Sequence, residues 1–385
     1  MSTVPAKAGS SPAPIWISAA ETSADVHGAR LAQALRAQAP TVPLMGMGGP
    51  SLRATSFQAL FRAEDLSVMG LTEVVSALPR IWKLYREISR ALRTHRPQCV
   101  VLLDAPDFHF RVARMAHRLK IPVVYYISPQ VWAWRKYRVH FLRRYVSTML
   151  CIIPFEQEFF ARNGLEVAFV GHPLLEHMDL ETLDRFQEEP DQIGILPGSR
   201  TKEVSALLPP FAQAARMIVR DRPQTRFLLF QADGVPQSEL TSRWPREVPV
   251  RIVPFAKRYH ELKQCALVLT ASGTATLECA LLGIPALVAY RLSLLSYAFG
   301  RLVIDVPYIS MPNLILGQGV YPEFIQHRVR GGLLAASALD WLDHPQKRQR
   351  VRQQLSAIRA ALGAHTASST AARLILTTAQ SRGGT

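Results

Sequence analysis

Two stretches decide the architecture. One is Ile193-Gly194-Ile195-Leu196-Pro197-Gly198-Ser199-Arg200, and the other is Ala266-Leu267-Val268-Leu269-Thr270-Ala271-Ser272-Gly273-Thr274-Ala275-Thr276-Leu277-Glu278. Each is a short apolar run that passes through small residues into a helical pattern, as a buried strand turning into a helix does. Such a turn aims backbone N–H groups and a positive helix end at one point, which suits a diphosphate. Gly273 allows close approach of a phosphate, and Ser199, Ser272, Thr274 and Thr276 offer hydroxyls. Arg200 adds a fixed positive charge able to offset charge on a leaving diphosphate. Glu203 reads as an orienting or helix-start carboxylate. Glu278, one turn into the second helix, is placed to accept from ribose hydroxyls. Neither loop has the lysine of a Walker loop.

Working outward, apolar runs alternate with helical patterns along the whole chain. Strands are expected at Ile15–Ser18, Val42–Met45, Cys99–Leu103, Val123–Ile127, Met149–Ile153 and Val167–Val170. In the second half they are expected at Ile193–Leu196, Phe227–Phe230, Val250–Val253, Leu267–Thr270 and Ala286–Ala289. Helices are expected at Asp25–Gln38 and about Leu71–His95. This is the βαβ rhythm of a parallel sheet, twice over, so the fold class is α/β with two Rossmann-like domains facing a cleft. The expected division is a leader over 1–14, an N-terminal domain over 15–186, a C-terminal domain over 187–344 and a helical, arginine-rich tail over 345–385, which such a fold can send back to the first domain. The polar, acidic stretch Asp179–Gln192 reads as the linker.

The 385 residues suffice for two cores, and 48% hydrophobic against 19% charged residues marks a globular protein. A net charge of +16 points to anionic partners: nucleic acid, an anionic membrane face or phosphorylated substrates. The small, proline-rich leader has no signal-peptide apolar core, and no stretch has the roughly 20 apolar residues of a spanning helix. Membrane contact is therefore expected to be peripheral. Cys99, Cys151, Cys265 and Cys279 lack metal spacing and read as reduced core cysteines of a cytosolic protein.

The first half carries its own candidates. Asp104 ends an apolar strand in Asp104-Ala105-Pro106-Asp107, where a carboxylate can act as general base. Asp107 reads as a helix cap. Ala20-Glu21-Thr22-Ser23-Ala24-Asp25 follows the first strand, and Glu21, Ser23 and Asp25 are candidates for substrate contact, with capping the alternative for Ser23 and Asp25. Met45-Gly46-Met47-Gly48-Gly49 reads as a glycine-rich turn. Val68, Met69, Leu71, Val75, Leu78 and Trp82 form an apolar stripe flanked by Arg80, Lys83 and Arg86, either core or an interfacial, acyl-facing surface. Ser128-Pro129-Gln130-Val131-Trp132-Ala133-Trp134-Arg135 interleaves aromatic and basic residues, as nucleic-acid or lipid-facing surfaces do and as a half-buried loop also can.

Together these segments resemble the lipid-A-disaccharide synthases, inverting glycosyltransferases of the GT-B fold. The resemblance runs from Ile15 to about Arg328. It is carried by Glu21–Asp25, Val68–Leu71, Asp104–Phe108, Ser128–Arg135, Phe169–Pro173, Leu196–Arg200 with Glu203, Ser272–Glu278 and Pro312-Asn313-Leu314. Ser-Pro-x-Val-Trp-Ala-Trp-Arg is its most specific motif. Ala20 and Ala24 stand where the family usually has glycine. The resemblance implies transfer of diacylglucosamine from its UDP derivative to the 6-hydroxyl of 2,3-diacylglucosamine 1-phosphate, giving the β-1,6-linked lipid A disaccharide 1-phosphate and UDP. It implies Asp104 as base, Arg200 and the 272–274 turn at the departing UDP, Glu278 on ribose, and Asn313, Glu323 and Gln326 as donor-side contacts. No metal, cofactor or nucleic acid is expected, and self-association stays open. The implied location is cytoplasmic, on the inner-membrane face. Rival readings are another GT-B transferase such as the glucosaminyltransferase of peptidoglycan synthesis, a UDP-sugar 2-epimerase, and a nucleic-acid-binding protein.

Overall fold

The computed structural model describes residues 12–67, 74–293, 297, 300, 306–364 and 366–381. The chain divides into two compact units, Met1–Pro173 with Ala364–Thr385, and Leu174–Gly363.

The first unit is built on seven strands: β1 (Ile15–Ala19), β2 (Leu44–Gly48), β3 (Gln58–Arg62), β4 (Cys99–Leu103), β5 (Val123–Tyr126), β6 (Thr148–Cys151) and β7 (Ala168–Phe169). They form one parallel sheet in the order β3-β2-β1-β4-β5-β6-β7. Helices cover the faces of such a sheet, which explains why β1, β2, β4 and β5 are buried at every residue and why β1, β4 and β5 read as nearly unbroken apolar runs. Strand β3 escapes the sequence reading because it is a half-exposed edge ending in Gln58 and Arg62.

The second unit repeats the plan with β8 (Glu189–Leu196), β9 (Arg226–Phe230), β10 (Val250–Val253), β11 (Cys265–Ala271), β12 (Ala286–Tyr290) and β13 (Glu323–Ile325). Its parallel order is β10-β9-β8-β11-β12-β13. Strand β13 has only three residues and begins with Glu323, so no apolar run announces it.

Several expectations need correction. The segment Met45–Gly48 is not a turn but most of β2. Gly46 is required within that strand: its φ is +137°, and a Cβ there would lie 2.2 Å from the Ile17 carbonyl oxygen. The acidic stretch 179–192 is not a free linker. Asp179 accepts from the Thr182 N–H at 3.1 Å to start the helix Leu180–Leu183. Asp184 pairs with Arg359 at 2.8 Å, and Glu188 with Arg348 at 2.8 Å and with Arg352. These acids are the partners of the tail arginines, so the arginine-rich helix Pro345–Ala361 belongs to the second unit and the division falls at 173/174. Only the last helix, Ala367–Gln380, joins the first unit. There it packs on the helix Thr22–Gln38, and Gln38 Nε2 donates to the Ser369 carbonyl at 2.9 Å.

All four cysteines are buried and free. Val68, Met69 and Leu71 of the expected stripe, and the side chains of Val75 and Leu78, lie outside the described residues. In the helix Val74–His95, Leu84, Tyr85, Ile88 and Leu92 face the core, whereas Trp82 is 64% exposed. Among the described residues no helix is long and apolar enough to cross a membrane.

Candidate active site

In both sheets the chain builds outward in one direction and then restarts on the other side of its first strand. The reversal falls between β1 and β4 in the first unit and between β8 and β11 in the second. Loops leaving adjacent strands at such a point diverge to opposite faces and leave a crevice where ligands of open α/β sheets bind. Ala19 pairs with Leu103, and Leu196 with Thr270. The loops carrying Glu21 and Asp104 therefore share the first crevice, and those carrying Arg200 and Ser272–Glu278 share the second.

Asp104 and Ala105 both take left-handed backbone, with φ of 52° and 44°. The turn ends β4 abruptly before Pro106 opens the helix Pro106–Arg118. Asp104 is half-buried, and that burial raises its carboxyl above the ordinary 3.8, opposed in part by the Ala105 N–H. A carboxylate so placed is a stronger base than a solvated one. Glu21 and Ser23 are exposed at the head of the helix Thr22–Gln38.

Asp25 takes a different role from substrate contact. It is 2% exposed, and its carboxylate accepts from the N–H groups of Gly49 and Ser51, each at 2.7 Å, and of Leu52 at 3.1 Å. It caps the short helix Pro50–Arg53, one element away from the helix it belongs to. Asp107 likewise is not a cap; it pairs with Arg135 at 3.3 Å and with Arg138. Ala20 and Ala24, 5% and 1% exposed, carry their methyl groups into the interior.

The Ser128–Arg135 segment is a half-buried loop. Val131 and Trp132 are buried, and the Arg135 guanidinium lies 4.0 Å from the Trp134 ring centre. Trp132 Nε1 donates to Glu156 at 3.0 Å, and the same carboxylate accepts from the Ile153 N–H at 3.3 Å. Burial pushes the Glu156 carboxyl up to about 7. Glu156 was legible only as a glutamate two residues after Pro154, the spacing of a helix start.

In the second unit Gly198 has φ +123°, and a Cβ there would meet Glu203 Cβ at 2.6 Å. That close approach lets Glu203 accept from the Ser199 N–H at 3.0 Å and from Arg200 Nη1 at 3.1 Å. The Ser199 N–H is thus used within the loop. Arg200 is tethered at one nitrogen, yet its side chain is 76% exposed.

At the second loop, Ser272 Oγ donates to the Ile309 carbonyl at 3.0 Å, and Thr276 Oγ1 to the Gly273 carbonyl at 2.7 Å. An anion needs donors, and these two hydroxyl hydrogens are committed to the protein, contrary to the expectation that both would serve a phosphate. Gly273 and Thr274 are exposed, with open space where a Gly273 Cβ would be. The first N–H groups of the helix Thr274–Leu281 have no acceptor within the helix. Glu278 is 8% exposed, and its Oε1 accepts from Arg258 Nη2 at 2.9 Å and from Tyr259 Oη at 2.8 Å. Arg258 lies 3.6 Å from the Phe255 ring centre and 4.2 Å from that of Tyr259. Sequence reading missed this trio; Phe255 and Arg258 directly after β10 were the available signal.

Asn313, Glu323 and Gln326 are internal ties rather than open contacts. Glu323 accepts from the N–H groups of Ile309 and Ser310, from Ser310 Oγ and from Asn313 Nδ2, at 2.7 to 2.9 Å. Asn313 is fully buried and brackets Tyr321, and Gln326 brackets the Leu292 backbone. They order the segments beside β12 and β13.

Comparison with known proteins separates the readings this geometry leaves open. The family model described as lipid-A-disaccharide synthetase matches residues 15–376. The lipid-A-disaccharide synthase of Nitrosococcus oceani is 38% identical over 358 residues, covering 91% of this chain and 92% of that protein. That of Syntrophus aciditrophicus is 38% identical over 372 residues, covering 94% and 97%. Among solved structures, UDP-GlcNAc 2-epimerase from Neisseria meningitidis bound to UDP-GlcNAc aligns with a TM-score of 0.64 at 11% identity, over 94% of this chain and 99% of that one. Acinetobacter baumannii MurG aligns with a TM-score of 0.58 at 15% identity, over 95% and 100%. At those identities the solved structures speak for the fold, which transferases and epimerases share. The sequence relatives speak for the family: this chain belongs to the lipid-A-disaccharide synthases, glycosyltransferases of lipid A biosynthesis.

Proposed function

We propose that the chain joins UDP-2,3-diacylglucosamine to the 6-hydroxyl of 2,3-diacylglucosamine 1-phosphate in one inverting displacement. The acceptor oxygen forms a bond to the donor anomeric carbon as its proton passes to the Asp104 carboxylate. The anomeric carbon–oxygen bond to UDP breaks, and its electron pair leaves on the β-phosphate oxygen. The β-1,6-linked disaccharide 1-phosphate and UDP result. In this reading the first unit takes the acceptor, with Glu21 and Ser23 beside it. The second takes the nucleotide-sugar donor: the Gly273–Thr274 helix start and Arg200 meet the diphosphate, and Glu278 meets ribose. The observation that carries the reading is Asp104, a half-buried carboxylate with raised proton affinity at the β1/β4 reversal.

The charge of +16 and the exposed Trp82 among exposed Arg80, Lys83 and Arg86 support work on an anionic membrane surface, the cytoplasmic face of the inner membrane.

The test is product formation from the two acylated substrates, identified by mass spectrometry. Asp104→Asn is expected to lower kcat by about 100-fold or more while UDP still binds. In the unaltered enzyme kcat/KM should fall toward acid at a pH above the ordinary carboxylate value, because burial raises the Asp104 carboxyl. Near-normal turnover by Asp104→Asn would remove it from the role of base.

A further inference from the structure

The mechanism leaves a buried histidine unused. His109 is 0% exposed, and each ring nitrogen has a partner: Nδ1 lies 2.7 Å from the Asp104 main-chain oxygen and Nε2 lies 2.9 Å from Ser18 Oγ. A carbonyl oxygen can only accept, so Nδ1 carries the proton. Nε2 then presents a lone pair, and Ser18 on β1 donates to it. Burial pushes the His109 pKa down to about 4, so the ring is neutral at ordinary pH and this tautomer is held.

Tyr125 Oη on β5 donates to the same Asp104 carbonyl at 2.6 Å. Both lone pairs of that oxygen are thereby used by side chains from separate elements, and the pair is anchored to β1 through Ser18. The carbonyl so held belongs to the first of two consecutive left-handed residues, neither of them glycine. Left-handed backbone costs non-glycine residues roughly 1–2 kcal/mol each. Such a turn persists only where its surroundings over-determine it. The direction of the Asp104 Cα–Cβ bond follows from this backbone.

We propose that His109 is a positioning residue of the transfer reaction: with Ser18 and Tyr125 it clamps the Asp104 carbonyl, fixes the 104–105 turn, and so holds the Asp104 carboxylate where it receives the acceptor proton. The proposal rests on the reading of Asp104 as base.

Steady-state kinetics of His109→Leu, His109→Asn and Tyr125→Phe test it, beside Asp104→Asn. Leucine fills the space and donates nothing, so kcat is expected to fall about 100-fold, the scale of a misplaced catalytic group, with both KM values within about threefold. Asparagine places an amide nitrogen where Nδ1 stood and can donate to the same carbonyl, so it should recover kcat to within about tenfold of the unaltered enzyme. Tyr125→Phe removes one hydroxyl and should lower kcat about tenfold, which keeps the test open should His109→Leu fail to fold. The proposal is overturned if folded His109→Leu keeps kcat within about threefold, if Asn is no better than Leu, or if Tyr125→Phe is unimpaired. An inactive Asp104→Asn beside an active His109→Leu would sink the positioning role alone. An active Asp104→Asn would sink the base reading, and the positioning role with it.

Discussion

Replacing Glu156 by glutamine should change how stability depends on pH, by an amount the structure sets. Glu156 is 1% exposed, beneath the Ser128–Arg135 loop, and its carboxyl titrates at about 7 in place of 4.5. Between those two values the folded chain holds a proton that the unfolded chain has released. The stabilisation is therefore complete below about pH 4.5 and lost as pH rises through about 7. A difference of about 2.5 units at 1.36 kcal/mol each gives roughly 3 kcal/mol lost across that window. His109 acts in the opposite sense. Its folded pKa is about 4 against an ordinary 6.5, so its contribution is present above 6.5 and lost as pH falls through 4. The two slopes oppose each other between 4.5 and 6.5, and the curve of the unaltered protein conceals both. Only the difference between the variant and the parent isolates Glu156. Glutamine has one acceptor oxygen for the two donors, Trp132 Nε1 and the Ile153 N–H, so Glu156→Gln should also cost about 1–3 kcal/mol at every pH. The slope, not the offset, is the diagnostic. Hydrogen exchange of β5 and β6 amides, measured from about pH 4.5 to about pH 8 and corrected for intrinsic rates, reads the first unit alone. Parallel curves for parent and variant would refute the reasoning.

Arg200→Ala should lower kcat by about 100-fold while UDP affinity falls less than about tenfold, measured by calorimetry, because the charge it offsets grows as UDP departs. Asp25→Ala should destabilise the first unit by about 2 kcal/mol or more, read by urea unfolding, since three backbone N–H groups lose their acceptor, and both KM values should stay unchanged. Arg80→Ser combined with Lys83→Ser should weaken sedimentation with anionic vesicles about 30-fold at low salt, at about 1 kcal/mol per charge. Equal binding by that variant would detach this helix from the membrane.

Most of the elements legible in the sequence are those whose burial is two-sided. Strands β1, β4, β5, β8, β11 and β12 sit inside their sheets, so helices cover both faces and their residues run apolar without alternation. The edge β10, Val250–Val253, was still legible from its β-branched residues, whereas the edges β3 and β13 lack either signal. Candidate loops were legible where a strand ends in small residues, because strand order confines ligands of such sheets to that edge. What stayed illegible was satisfaction. Nothing in the sequence distinguishes Thr274, which faces solvent, from Thr276, whose hydroxyl is committed two residues further along the same turn. Nor does it reveal that Asp25 caps a helix beginning at Pro50, or that the acids around 184–188 await arginines near 348–359. These are contacts between distant segments, and one chain read locally carries no trace of them.

Satisfaction is also what narrows the chemistry. A polar side chain whose polar atoms are each engaged inside the protein holds geometry; one with a polar atom left over can hold a ligand. By that criterion Asp25, Asn313, Glu323 and Gln326 are frame, and Arg200 and the exposed Gly273–Thr274 helix start are face. Glu278 is intermediate, since Arg258 and Tyr259 converge on one carboxylate oxygen and orient the group. The frame is dense because neither crevice is built on glycine alone. Gly198 supplies the bend before Arg200, but the bend at Asp104 is made by two ordinary residues and held by Tyr125 and a neutral histidine. A glycine in place of Ala105 would ease the backbone and free the Asp104 carboxylate to wander. A clamped carbonyl keeps the backbone strained and the base in one place, which a displacement needing acceptor, anomeric carbon and leaving oxygen in line demands.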